Sequence, residues 1–150
     1  MTTPEVDTGI TDRPIDVAAA IASASSVDAG AVGAFIGTVR ASAAVQANQS
    51  KAVVRLDYEA HPELAASRLE EIGRDAADKW GTLRIVAWHR TGACELGEPT
   101  VVVACSAPHR ADALEACRHV IDTIKATVPI WKREVYADGS SWVGAEGEGG

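Results

Sequence analysis

A chain of 150 residues with 47% apolar content has room for one globular domain whose core needs no disulfide or metal to hold it. A net charge of -7 argues against nucleic acid or an anionic membrane as a partner, since both favour a basic face, but it leaves space for a local cationic pocket. Cys94, Cys105 and Cys117 are odd in number and widely spaced, so they predict neither a disulfide framework nor a zinc site and read as reduced thiols of a cytoplasmic protein.

In chain order, residues 1–14 are polar, carry two prolines and lack periodicity, which predicts a loose N-terminal arm. No basic-then-apolar leader is visible, and no run approaches the roughly 18 apolar residues of a spanning helix. Asp16 is placed to cap a short helix with Val17, Ala20, Ile21 and Ala24 on one face. Residues 31–39 form an apolar run that suits a buried strand, with Gly33 and Gly37 letting another backbone approach. Residues 41–51 are small and polar and predict a mobile loop. A strand is expected over 53–60, and a helix that Pro62 opens and Gly81 stops, with Leu64, Ala65, Leu69, Ile72 and Ala76 at helical spacing.

Residues 83–89 read as a strand and 91–98 as a connecting turn. The run TVVVAC at 100–105 is the most strand-like in the chain. From there Ser106 is placed to cap a helix with Pro108, His109 and Arg110 in its first turn and Leu114, Cys117, Ile121 and Ile124 buried. Pro129 ends that helix near Thr127 and starts an extended segment at Ile130. Alternation then puts Ile130, Lys132 and Glu134 on one face and Trp131, Arg133 and Val135 on the other. Asp138 and Gly139 predict a turn, and residues 144–150 a disordered tail after a single domain over 15–143. Strands outnumber helical crossovers, so the fold class is α+β, with helices packed on one side of a mostly antiparallel sheet.

The chain has four lysines, and two of them, Lys125 and Lys132, fall on either side of Pro129. A lone lysine at a helix C-terminus usually only complements the helix dipole. Two from different elements converging on one place shift the balance toward function, because like charges in a partly covered pocket make an amine a better base or nucleophile. His109 and Arg110 sit where a helix N-terminus favours an anion, whereas Arg40, taken alone, reads as a surface charge. His61, His89 and His119 lack metal-ligand spacing and read as structural or solvated, so no metal and no cofactor is expected. Cys105 and Cys117 read as small buried hydrophobes.

Five ordered blocks, GAFIGTVR at 33–40, LDYEAH at 56–61, HRTG at 89–92 with GE at 97–98, SAPHR at 106–110 and KATVPIWKRE at 125–134, together resemble the signature of the large, catalytic subunit of molybdopterin synthase. The resemblance spans roughly residues 15–143. It implies a fold of the α/β hammerhead type and a sulfurtransferase of molybdenum cofactor biosynthesis. Such an enzyme converts cyclic pyranopterin monophosphate to molybdopterin with sulfur from the C-terminal thiocarboxylate of a small ubiquitin-like subunit. It also implies a homodimer of large subunits within a heterotetramer. Position by position, Lys125 and Lys132 match the two active-site lysines, and Arg40, His109 and Arg110 match the substrate's anion-binding pocket, with Arg40 supplied by the neighbouring large subunit. Residues 41–51 depart from the family pattern, which has an Asn and Gly turn there. The terminal Gly149-Gly150 is similar to the small subunit's donor tail, but no ubiquitin-like domain precedes it. A noncatalytic anion-binding or assembly module, and a lysine Schiff-base enzyme, remain the other readings of the same residues.

Overall fold

Two β-sheets divide the chain, one sandwiched between helices and one carrying the junction at Pro129. The computed structural model describes residues 4–46 and 49–147. Its elements are β1 (Glu5–Thr11), α1 (Val17–Ala24), β2 (Ala31–Thr38), β3 (Ser42–Gln46), β4 (Gln49–Ala60), α2 (Pro62–Trp80), β5 (Arg84–Arg90), β6 (Gly92–Glu95), β7 (Pro99–Ala107), α3 (Arg110–Thr127), β8 (Ile130–Tyr136) and β9 (Ser141–Ala145). The first sheet has the order β1-β5-β7-β2 and the second β3-β4-β8-β9, with β6 also paired to β4. Among the described residues β1 and β5 run parallel, and the other pairings are antiparallel. The expected α+β class therefore holds. No helix of the described residues is long and apolar enough to cross a membrane.

The helices do not all lie on one side of the first sheet. Strands β5 and β7 are apolar on both faces, so each face needs a cover. On one face Ile15, Ala20 and Ala24, in and beside α1, pack on Val86, Val102 and Ala104. On the other, α2 and α3 bury Leu69, Ile72, Val120 and Ile124 against Ile85, Val101 and Val103. The boundaries follow local chemistry. Asp16 Oδ1 accepts the Ala19 N–H at 3.0 Å, and His61 Nδ1 accepts the Leu64 N–H at 3.2 Å just ahead of Pro62. Gly81 closes α2 in the left-handed region at φ 61°.

Further expectations need correction. The supposed loose arm contains β1, whose alternation of Val6, Thr8 and Ile10 with Glu5 and Asp7 adds a parallel edge strand to β5. The supposed mobile loop over 41–51 contains β3 and the start of β4, while residues 47–48 lie outside the described residues. The supposed disordered tail contains the end of β9 and continues as ordered chain to 147; residues 148–150 are outside the described part. Ser106 belongs to buried β7, so His109 is the residue that precedes α3, and it makes no side-chain cap.

Of the stripe expected on helix α3, Cys117, Ile121 and Ile124 are buried and Leu114 is not. Ala113, Ala116, Cys117, Val120, Ile121 and Ile124 face inward, while Leu114 is 57% exposed. Small residues carry the contact because α3 runs very close to β2. A Cβ built on Gly33 would stand 2.7 Å from the Ala113 carbonyl oxygen. At its far end α3 stops as Pro129 requires: Val128 is extended at φ -77° and ψ 131°, and β8 begins two residues later. Gly33→Ala forces a backbone shift at that contact and is expected to cost about 1–3 kcal/mol in urea denaturation. An unchanged unfolding free energy would show that α3 does not approach β2 as described.

Candidate active site

Lys125 leaves the last turn of α3, and Lys132 leaves the inward face of β8 on the other side of Pro129. Both line one cavity of about 290 Å³, together with Arg40, Ser42, Tyr58, Thr100, Glu134 and Glu146. Lys125 is 40% exposed at its side chain, and Lys132 only 7%. One amine therefore stands toward solvent and the other at the covered end.

Each ammonium has its own carboxylate. Glu146 Oε1 accepts a hydrogen bond from Lys125 Nζ at 3.1 Å, and Glu134 Oε1 lies 3.6 Å from Lys132 Nζ. The second oxygen of Glu134 accepts the Tyr136 hydroxyl at 2.8 Å, which fixes that carboxylate. Unpaired ammonium groups could not be buried this deeply, because desolvation of a charge costs several kcal/mol unless a partner offsets it. Even so, burial lowers the Lys132 pKa from its ordinary value, and the charge of Lys125 lowers it further; Glu134 and Glu146 oppose the shift without reversing it. Burial works against ionisation of Glu146 as well, but a hydrogen bond and charge from the protonated form of His89, together with the Lys125 charge, outweigh it and hold that carboxyl at about 2. Tyr58 is pushed well above its ordinary range by burial and then by Glu146, so it stays a neutral phenol. Chemically the cavity offers an accessible amine, a covered amine with a lowered pKa and one guanidinium, which suits an anion and a polarised carbonyl together.

Of the five residues singled out in the sequence, three come together here. Arg40 lines the cavity of its own chain beside the two lysines, so its placement needs no neighbouring subunit. His109 and Arg110 do not join them. Both are exposed at the N-terminal end of α3, and at 1.5 Å per residue Lys125 lies about 22 Å further along the same helix. Glu134, Glu146 and Tyr58 were not singled out. Glu134 was visible as the next inward residue after Lys132 on the same strand face. Glu146 was not, because its position depends on the register of β9 against β8, where Lys132 opposes Gly144 and the Glu146 N–H donates to the Ile130 carbonyl at 2.9 Å. Among the described residues no group of three or more His, Cys, Asp or Glu is placed to hold a metal ion.

The MoaE protein family matches this chain over residues 10–127. A molybdopterin synthase catalytic subunit from Halalkalibacterium halodurans is 41% identical over 135 residues, which cover 90% of this chain and 83% of that protein. Another, from Pyrococcus abyssi, is 40% identical over 124 residues, covering 83% and 80%. The crystal structure of molybdopterin synthase from Staphylococcus aureus superposes with a TM-score of 0.81 at 33% identity, over 91% of this chain and 96% of that one. A complex of subunits 1 and 2 of the molybdopterin-converting factor from Helicobacter pylori shares the fold at a TM-score of 0.69 and 22% identity, over 87% and 86% of the two chains. These likenesses define a biosynthetic enzyme of the molybdenum cofactor. The chain belongs to the MoaE family, that of the molybdopterin synthase catalytic subunits.

The depressed pKa of Glu146 has a consequence for stability. Its ordinary value is 4.5 and its folded value about 2, so the ionised carboxyl stabilises the fold above the higher value. That contribution, roughly 3 kcal/mol, should disappear as the pH falls from about 5 toward 2. Glu146→Gln should flatten this part of the stability curve measured by urea unfolding at a series of pH values. Identical slopes in the two proteins would contradict the buried ion pair.

Proposed function

We propose that the cavity is where sulfur passes from the C-terminal thiocarboxylate of a small ubiquitin-like subunit to cyclic pyranopterin monophosphate, yielding molybdopterin in the cytoplasm. The observation that carries this reading is the convergence of Lys125, Lys132 and Arg40 on one cavity with a solvent-facing amine at its mouth. The donor tail ends in an anion and the acceptor carries a phosphate. A pocket with three cationic side chains meets both. The Helicobacter pylori complex of two converting-factor subunits supports a small protein partner for a fold of this kind.

In this reading the thiocarboxylate sulfur bonds to a side-chain carbon of the pterin precursor as that carbon's C–O bond breaks. The oxygen takes the electron pair and leaves as water after protonation or stays on the phosphate, and an acyl–sulfur link then joins the tail to the substrate. Addition to the acyl carbon then breaks the carbon–sulfur bond. The sulfur stays on the pterin, and the tail departs as a carboxylate if water adds, or as an amide later hydrolysed if the Lys125 amine adds. Lys125 assists that addition, Lys132 balances the charge that develops on oxygen, and Arg40 holds the phosphate. Two such rounds, with two donor tails, supply both sulfurs of the product.

A second copy of the chain completes the site. His109 and Arg110 are too far along α3 to serve their own cavity, and the exposed apolar residues Val32 and Ile36 on β2 and Leu114 on α3 lie on the elements that lead toward them. A homodimer formed through this face would cover the apolar groups and bring one copy's His109 and Arg110 to the other's cavity mouth.

With thiocarboxylated small subunit and cyclic pterin, Lys125→Ala is expected to lower dithiolene formation at least 100-fold, the order seen when a positioned acid–base group is removed, while the small subunit still binds. Turnover equal to the wild type would remove Lys125 from the chemistry. Mixing Lys125→Ala with Arg110→Ala should restore part of the activity that each lacks alone, since a mixed dimer contains one intact site. No recovery in confirmed mixed dimers would place Arg110 at its own chain's cavity or outside the site.

A further inference from the structure

His89 lies beneath the cavity and has no part in the chemistry described so far. It is fully buried in β5, with apolar Ile10 of β1 and Val101 of β7 opposite it in the sheet. The ionisable groups turned toward it are Glu146 and Tyr58, the latter edge-on with ring centroids 5.1 Å apart, and Lys125 stands on the far side of Glu146. Its Nδ1 is 2.7 Å from the Arg90 carbonyl oxygen. Two acceptors do not approach so closely, so Nδ1 carries a proton and donates it.

That assignment leaves Nε2 of the neutral ring as a bare lone pair, and it faces Glu146 Oε1 at 3.7 Å. A lone pair opposite a carboxylate is a mismatch, and both Nε2 and Glu146 Oε2 are buried without any hydrogen-bond partner. A proton on Nε2 would turn that mismatch into a charge pair with the carboxylate it faces. A mobile proton is at hand on Lys125 Nζ, which already donates to the same carboxylate. Glu146 thus stands between an amine with a proton to lose and an imidazole short of one.

We propose that His89 is the proton store of the site, exchanging a proton with Lys125 through Glu146. One N–H bond breaks at Lys125 Nζ and one forms at His89 Nε2, and Glu146 begins and ends as a carboxylate. Ammonium, carboxylate and neutral imidazole become amine, carboxylate and imidazolium, so the net charge of the three groups is zero before and after. The transfer therefore frees the Lys125 electron pair without leaving an uncompensated charge in a covered site, which burial would strongly oppose. The reverse transfer returns the ammonium at the end of the cycle. His89 acts through Glu146 and touches no substrate, which makes it a positioning residue. The proposal rests on Lys125 acting at the cavity as described above.

Two measurements test it. In protein labelled with ¹⁵N-histidine, long-range proton–nitrogen spectra should show His89 with Nδ1 protonated and with a proton population on Nε2 in the wild type. At the same pH Glu146→Gln should leave Nε2 unprotonated, because the anion that holds the imidazolium is gone. A state of Nε2 that does not respond to Glu146 would overturn the proposal, whatever the enzyme's activity. In single-turnover assays His89→Gln should slow product formation at least tenfold near neutral pH, with unchanged affinity for the small subunit, and the deficit should shrink as the pH rises and solvent takes over deprotonation of Lys125. Glu146→Gln should show the same pH-dependent deficit and serves alone if His89→Gln fails to fold. A deficit of equal size at every pH would mean a purely structural role and would also overturn the proposal. Wild-type turnover in the same assay reports separately on the sulfur-transfer reading.

Discussion

Two ammonium groups can share a covered cavity only if anions are held beside them, and that constraint organises the functional half of this molecule. Glu134 reaches Lys132 because strand alternation turns both to the same side, and the Tyr136 hydroxyl fixes the carboxylate. Glu146 reaches Lys125 because β9 pairs with β8 in a register that carries it past the junction. The pairing does more than neutralise. With each carboxylate assigned to one lysine, the amines differ: one is solvent-facing and salt-bridged, and the other is covered and shifted toward its neutral form.

The remainder of the fold supplies rigidity at the two points that matter. Strand β4 pairs with β8 from Ala60–Ile130 through Val53–Tyr136, so the strand that carries Lys132 and Glu134 is held along its length. Helix α3 is pressed onto β2 and β7 by a stripe of small residues, with Gly33 giving the room, and this fixes the direction from which Lys125 arrives. Arg90 organises the base of β5 by donating to the Asp12 and Ala93 carbonyls and to Glu98, which steadies the turn after His89. A site whose groups come from α3, β8, β4 and the chain beyond β9 depends on these contacts for its geometry.

What could be read directly from the residues was whatever is set locally. Pro129 fixes its own φ and forbids a helix at Val128, so the break between the lysines was visible without a structure. Pro62, Gly81 and Asp16 marked their helix ends for similarly local reasons. Features set by distant partners were hidden. Strand β1 is a short edge strand whose alternation is blurred by Gly9, and it acquires its meaning only beside β5. The ordered tail looked like a Gly-rich end because its order comes from β8. Leu114 looked like a core residue by hydrophobicity, yet the close approach of α3 to β2 selects alanines for the buried stripe and leaves Leu114 outside. His109 and Arg110 have the chemistry of an anion site, but a helix of 18 residues separates them from the cavity in one chain.

The most direct measurement is a crystal structure of this chain bound to a small subunit with an intact C-terminal tail. The tail should enter the cavity in extended form, with its terminal carboxylate within hydrogen-bonding distance of Lys125 Nζ and with Lys132 and Arg40 around it. A tail seated elsewhere on the surface, or lysines turned to opposite sides with no shared space, would contradict the central claim.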